Sequence, residues 1–286
     1  MKDKLINFAW AQGIRAFRRA RKANVSSRLE PALVAIAGLL PTAHEVTATL
    51  PSGAALLMPA GYRDTRTVVT GLFQSEETKL FQRLAQPGMT FLDVGAYVGY
   101  FTILASGWVG ASGHVYAFEP DAYAYQFLLR NIRSNNCVNA VAINKAVSDV
   151  VKTATLVRDP KGPETFLTHT PIGGDAFTIE TVTLDSFLET ENWPTVDLAK
   201  INIEGSELFA LKGMNKLSHR SPGLQLVMEF NPAAMKRAGV SREDLTAALA
   251  DLGFRRGQVV ERDLETISAG QLLPAGSTVY NILLTK

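Results

Sequence analysis

The sequence predicts an α/β protein built on a mostly parallel sheet. Three observations carry this. Short apolar runs alternate with amphipathic stretches from about residue 90 to residue 252. The first run leads straight into a glycine turn, Gly95 to Gly99. A later run is interrupted by Lys200, Asn202 and Glu204, polar residues in what should be a nearly continuous apolar strand of a parallel sheet.

The elements follow in order. Residues 4–23 read as an amphipathic helix, with Leu5, Phe8, Ala9, Ile14 and Phe17 on one stripe and Arg15, Arg18, Arg19 and Lys22 elsewhere. It is read either as a solvated helix or arm, or as a docking helix for a membrane surface or partner. Residues 45–58 read as two strands around the turn Pro51-Ser52-Gly53. Residues 76–86 read as a helix capped by Ser75, with Leu80, Phe81 and Leu84 facing inward, and stopped by Pro87-Gly88. Strands are expected at residues 90–94, 114–118 and 140–146. Between the last two, Asp121 opens a helix with Tyr125, Leu128, Leu129 and Ile132 at i, i+3, i+4 and i+7. Residues 151–183 are rich in proline and glycine and read as ribbon and loop. Residues 196–203 and 224–230 are the fourth and fifth strands. Ser241 and Asp244 make a capping box. Residues 254–260 and 278–285 have no helix between them and read as an antiparallel closing pair.

Composition narrows the function classes. The 286 residues are 47% hydrophobic and 20% charged, far from the signature of disorder. Cys137 is the one cysteine, which excludes a disulfide framework or cysteine-rich zinc site and suits a reducing cytoplasm. The four histidines are scattered, and no metal site is expected. The net charge of +2 divides into +6 over residues 1–30 and −4 over the rest, so the body is not expected to bind nucleic acid. The apolar run at residues 31–41 is about half of the ~20 residues a spanning helix needs, and the order of charged and apolar segments does not match a signal peptide. The expected location is the cytoplasm, with any membrane contact peripheral and through the basic helix.

The chemistry concentrates in two places. At Asp93-Val94-Gly95-Ala96-Tyr97-Val98-Gly99 a strand ends in an acidic residue and a glycine turn. Neither a G-x-G-x-x-G nor a G-x-x-x-x-G-K pattern is present, so a ligand with a cationic amino-acid part suits Asp93 better than a pyrophosphate does. Glu119 ends the next strand, where a carboxylate can accept hydrogen bonds from both ribose hydroxyls of an adenosine. The second place is Lys200-Ile201-Asn202-Ile203-Glu204-Gly205, with Glu229 ending the following strand. These polar groups are either functional or a buried Lys200–Glu229 ion pair that sets the architecture.

Together FLDVGAYVGYFT, YAFEP, NKAVSD at 144–149, VTLDSFL at 182–188 and VDLAKINIEGSELFALKG at 196–213 resemble the FkbM family of S-adenosylmethionine-dependent methyltransferases. The resemblance runs from about Gly71 to Pro232. It implies a class I methyltransferase (Rossmann-like) fold over residues 71–286, with a mostly parallel seven-stranded sheet, an antiparallel closing strand and an insert at about 151–183. Residues 1–70 are then a helical and β-ribbon extension. It implies S-adenosylmethionine as cofactor, with Asp93, Gly95, Ala96, Tyr97 and Gly99 on its methionine part and Glu119 on the ribose. Ala146 and Val147 would lie near the adenine, and Pro120 and Asn202 against the cofactor. Transfer to a hydroxyl oxygen of a small molecule or glycan is expected, with Glu204 as base and Lys200 as its orienter or charge partner; His169 is the second candidate. The family usually has Asn at Tyr97, Asp at Asn202 and Glu at Gln74. Two other readings stay open: a cofactor-binding but idle docking protein, and a nicotinamide oxidoreductase.

Overall fold

The computed structural model describes residues 44–62, 64–158, 165–168, 176–267 and 271–286. The expected helix at 4–23, and His169, lie outside them. The chain divides after Ser75 into two compact units.

In the first unit β1 (Val46–Thr49) and β2 (Ala55–Met58) form the antiparallel hairpin that Pro51-Ser52-Gly53 predicts. A short helix, α1 (Thr65–Thr70), ends on Gly71, whose φ of 75° is the left-handed stop that glycine adopts without strain.

Next comes α2 (Ser75–Leu84), whose first residue is Ser75 itself; the second unit begins at its Glu76. Its Phe81 ring meets Phe91 and Phe101 edge-on at 5.0 and 5.3 Å. Strand and helix then alternate: β3 (Thr90–Val94), α3 (Tyr100–Val109), β4 (His114–Phe118), α4 (Ala122–Ser134) and β5 (Ala140–Ile143). The Asp121 side chain accepts from the amides of Tyr123 and Ala124, which starts α4 where the sequence places it. The third strand is shorter than expected. Asn144 turns out of it to donate to the carbonyls of Glu119 and Pro120, and the chain leaves the sheet.

The expected ribbon is a second sheet. β6 (Ala146–Val147), β7 (Thr153–Arg158), β8 (Thr165–Thr168) and β9 (Ala176–Val182) stand in the order β6-β9-β7-β8. After it come α5 (Leu184–Thr190), β10 (Leu198–Ile201), α6 (Glu207–Lys212), α7 (Asn215–Arg220), β11 (Gln225–Phe230), α8 (Pro232–Arg237) and α9 (Arg242–Asp251). The chain closes with β12 (Arg256–Val259), a 3-10 turn at Val260–Arg262, β13 (Glu265–Thr266) and β14 (Tyr280–Thr285).

The main sheet has eight strands, in the order β13-β12-β14-β11-β10-β3-β4-β5. The eighth corrects the expected seven: two-residue β13 folds back on β12 inside the turn-rich connection. β14 runs antiparallel to both β11 and β12, so β12 points the same way as the parallel strands, and the predicted antiparallel closing pair is present. β3 and β10 are buried along their whole length, which is why both read as apolar runs. Among the described residues no helix is long and apolar enough to cross a membrane.

Candidate active site

The carboxyl ends of β4, β3, β10 and β11 lie side by side in the sheet, and the residues singled out above sit on them. In open α/β sheets this is where ligands bind. The turn after β3 is held from one side by the Phe118 carbonyl, which accepts from Gly95 and Ala96 at 3.0 Å each. Gly95 has φ of 83°, and a Cβ there would lie 1.9 Å from the Asn202 carbonyl oxygen. That close approach of two loops, rather than room for a ligand, demands glycine. A Cβ on Gly99 would strike Leu128 at 2.7 Å, so this glycine seats the start of α3 against α4. Tyr97 lies between them at φ of 50°, a left-handed conformation that costs about 1–2 kcal/mol for an ordinary residue. Asn tolerates it better.

Asp93 lies beneath the turn instead of on its surface. It is fully buried; Oδ2 accepts from Thr102 Oγ1 at 2.7 Å and Oδ1 from Lys200 Nζ at 3.3 Å. Lys200 stands opposite Asp93 in the β10–β3 register and also donates to the Gly95 carbonyl at 3.0 Å. Asp93, expected on the methionine part of the cofactor, instead supports the glycine turn from below. The Lys200–Glu229 pair considered from the sequence is corrected to Lys200–Asp93.

Glu119 joins two loops. Oε2 accepts from the Tyr97 amide and Oε1 from the Asp121 amide, both at 2.8 Å. A carboxylate has about four acceptor sites, and these two amides use half of them. Burial pushes its carboxyl up to about 7 despite the two amides, which pull the other way. From the next residue on, a cavity of about 680 Å³ is lined by Pro120, Asp121, Tyr123 and Asn144 on one side and Phe177, Ile179 and Glu180 of β9 on the other; Glu119 itself is not among its lining residues. The wall from β9 was not legible in the sequence. Ala146 and Val147, expected near the adenine, are buried in hydrophobic cores; Asn144 lines the cavity in their place.

At the other end of the row, Asn202 donates through Nδ2 to Glu229 Oε1 at 3.2 Å, and Asn231 Nδ2 to Oε2 at 3.4 Å. Glu204 is half-buried, with φ of 54°, in the loop after β10. Glu207 fixes that loop: its buried carboxylate accepts from the Ile203 amide at 3.0 Å. Glu77 is buried too and accepts from Asn281 Nδ2 at 2.7 Å. Burial pushes both Glu77 and Glu207 up to about 7, and the nearby Glu229 charge adds to this. Sequence reasoning gave neither a role. Two acidic residues in the first turn of a helix ordinarily read as charges favoured by the helix dipole.

Solved structures to which the chain is similar include the precorrin-6y C5,15-methyltransferase of Geobacter metallireducens. It is 13% identical, with 74% of this chain and 89% of that one covered and a TM-score of 0.42. A SAM-dependent methyltransferase of Aquifex aeolicus is 17% identical over 73% of this chain and 88% of that one, with a TM-score of 0.42. No curated protein matches the sequence significantly. The methyltransferase FkbM domain matches residues 93–256. The match begins at Asp93, takes in the turn, the buried Glu119 and the β10 loop, and ends in β12. It covers more than half of the chain, and the protein therefore belongs to the FkbM methyltransferase family.

Proposed function

We propose that the protein moves a methyl group from S-adenosylmethionine to a hydroxyl oxygen of a small-molecule or glycan acceptor. The observation that carries the cofactor half is Glu119, a buried carboxylate with acceptor sites left over, next to a cavity of about 680 Å³. These residues fit the nucleoside part of that cofactor. Glu119 takes the ribose hydroxyls, and Pro120, Tyr123, Asn144 and Phe177 enclose the base. The turn from Gly95 through Ala96 and Tyr97 to Gly99 takes the methionine part. The cofactor supplies a methyl activated on a sulfonium sulfur. The acceptor half rests on the β10 and β11 ends. A hydroxyl must be aligned with the methyl and lose its proton as the new bond forms. Glu204 removes that proton. Asn202 and Glu229 orient the acceptor, and Lys200 acts only through Asp93 and the turn. Screening hydroxylated acceptors with methyl-labelled S-adenosylmethionine tests this. Label transferred to oxygen supports it; tight cofactor binding with no transfer to any acceptor overturns it.

Glu119→Ala is expected to weaken cofactor binding by roughly tenfold or more, since a hydrogen bond to a charged group contributes about 1.5–3 kcal/mol. Isothermal calorimetry measures it, and unchanged affinity removes Glu119 from the site. The same side chain predicts a pH dependence. Ribose hydroxyls donate best to the ionised carboxylate, and in the free protein Glu119 holds its proton up to about 7. Binding therefore releases a proton, and affinity should rise as pH passes from below 7 to above it. A flat profile between pH 6 and 8, the window on either side of that value, would sink the assignment.

A peripheral membrane contact through residues 4–23 has its own test. Removal of residues 1–25 should leave cofactor affinity unchanged and abolish cosedimentation with anionic vesicles. Loss of cofactor binding would make this segment part of the site's support.

A further inference from the structure

We infer that Glu207 is a positioning residue for methyl transfer: it holds the main chain at Glu204 in the strained conformation that presents this base to the acceptor. The inference rests on the reading of Glu204 as base given above. Beyond β10 the chain turns through two left-handed residues in succession, Glu204 at φ of 54° and Gly205 at φ of 101°. Glycine adopts such a conformation freely. Packing demands it as well, since a Cβ on Gly205 would lie 2.5 Å from the Ala234 carbonyl oxygen of α8. Glutamate adopts it only under strain, and strain of this kind persists where the surroundings over-determine the backbone.

Glu207 supplies that constraint. Its side chain is fully buried, and Oε1 accepts from the Ile203 amide at 3.0 Å. Burial raises its carboxyl, while the amides of Ile203 and Gly205 pull it down. Those two amides belong to the residues on either side of Glu204. One side chain thus grips the main chain both before and after the base. The Asn202 amide ties the start of the loop to the Val94 carbonyl of β3 at 3.1 Å, and the Ser206 amide donates to the Ile203 carbonyl at 3.3 Å.

The chemistry makes position decisive. As the hydroxyl oxygen bonds to the methyl carbon, the sulfur–methyl bond breaks with its electron pair left on sulfur, and the hydroxyl proton passes to the Glu204 carboxylate. That carboxylate must lie within hydrogen-bond reach of the hydroxyl while the oxygen stands in line behind the methyl. A relaxed backbone at residue 204 moves the base and leaves the methyl donor where it is.

Single-turnover transfer from methyl-labelled S-adenosylmethionine, to the hydroxylated compound that takes up label in the screen above, tests this. Glu207→Leu fills much of the same space and offers no acceptor. It should lower the rate about 10²-fold, the effect of a misplacement of about 1 Å, with affinity for S-adenosylmethionine nearly unchanged. Glu207→Gln keeps a carbonyl oxygen for the Ile203 amide and should restore most of the rate. Added to Glu204→Gln, Glu207→Leu should bring little further loss, because the group it positions is already gone. Losses that multiply, or a Glu207→Gln variant as impaired as Glu207→Leu, overturn the proposal. Amide hydrogen exchange on the wild type needs neither a variant nor an acceptor. The Ile203 amide should exchange as slowly as those of β10, and exchange at the rate of an open loop also overturns the proposal. Near-normal transfer by Glu204→Gln is a separate outcome: it defeats the reading of Glu204 as base, and this inference falls with it.

Discussion

Replacing Lys200 with methionine is expected to lower stability by about 3–5 kcal/mol, the usual cost of leaving one partner of a buried ion pair alone. Asp93 would keep its bond from Thr102 but lose its positive partner, in a strand where every residue is buried. The Gly95 carbonyl would lose a donor at the same time. Urea unfolding at neutral pH measures the loss. The double variant Lys200→Met with Asp93→Asn should recover much of it, because no unpaired charge then remains in the sheet. A single variant as stable as wild type would show that water reaches Asp93.

Glu204→Gln is expected to lower methyl transfer by about 10²–10⁴, the usual contribution of a general base. The substitution keeps size and most hydrogen bonding. It also leaves in place the Glu207 bond that fixes the loop. Asn202 cannot substitute, since a neutral amide does not take up a proton near neutral pH. Single-turnover transfer to an acceptor from the labelling screen, at a temperature where both proteins are folded, is the measurement. A lowered melting temperature with near-normal transfer would assign Glu204 a structural role and move the base to Glu229 or His169.

Much of the fold is legible because its signals are local. Asp121 as a cap, Pro51-Ser52-Gly53 as a turn and the apolar run at Thr90–Val94 each act within a few residues, and the structure follows them. The errors come where partners are distant. Lys200 and Asp93 are 107 positions apart, so a lysine in an apolar strand could be read as a partner for either carboxylate end. Glu77 and Asn281 are 204 apart, and nothing in the first turn of α2 points to strand β14. The cavity has the same character. Its wall at Pro120 follows from a strand ending, but Asn144 lines it because the third strand stops at Ile143, short of the expected 146, and Phe177 and Ile179 line it from β9, which pairs with β6 outside the main sheet.

The contact between Gly95 and position 202 has a consequence for how such a protein can diverge. Gly95 meets the main-chain carbonyl of residue 202 and makes no demand on the side chain. The loop junction therefore tolerates any residue at 202 that keeps the backbone path, while position 95 is confined to glycine. Drift at 202 changes only what faces Glu229. An aspartate there would place two carboxylates together and require a shared proton; the asparagine settles the pair with a hydrogen bond. One position can thus retune the charge at the ends of β10 and β11 while the backbone junction with Gly95 stays in place.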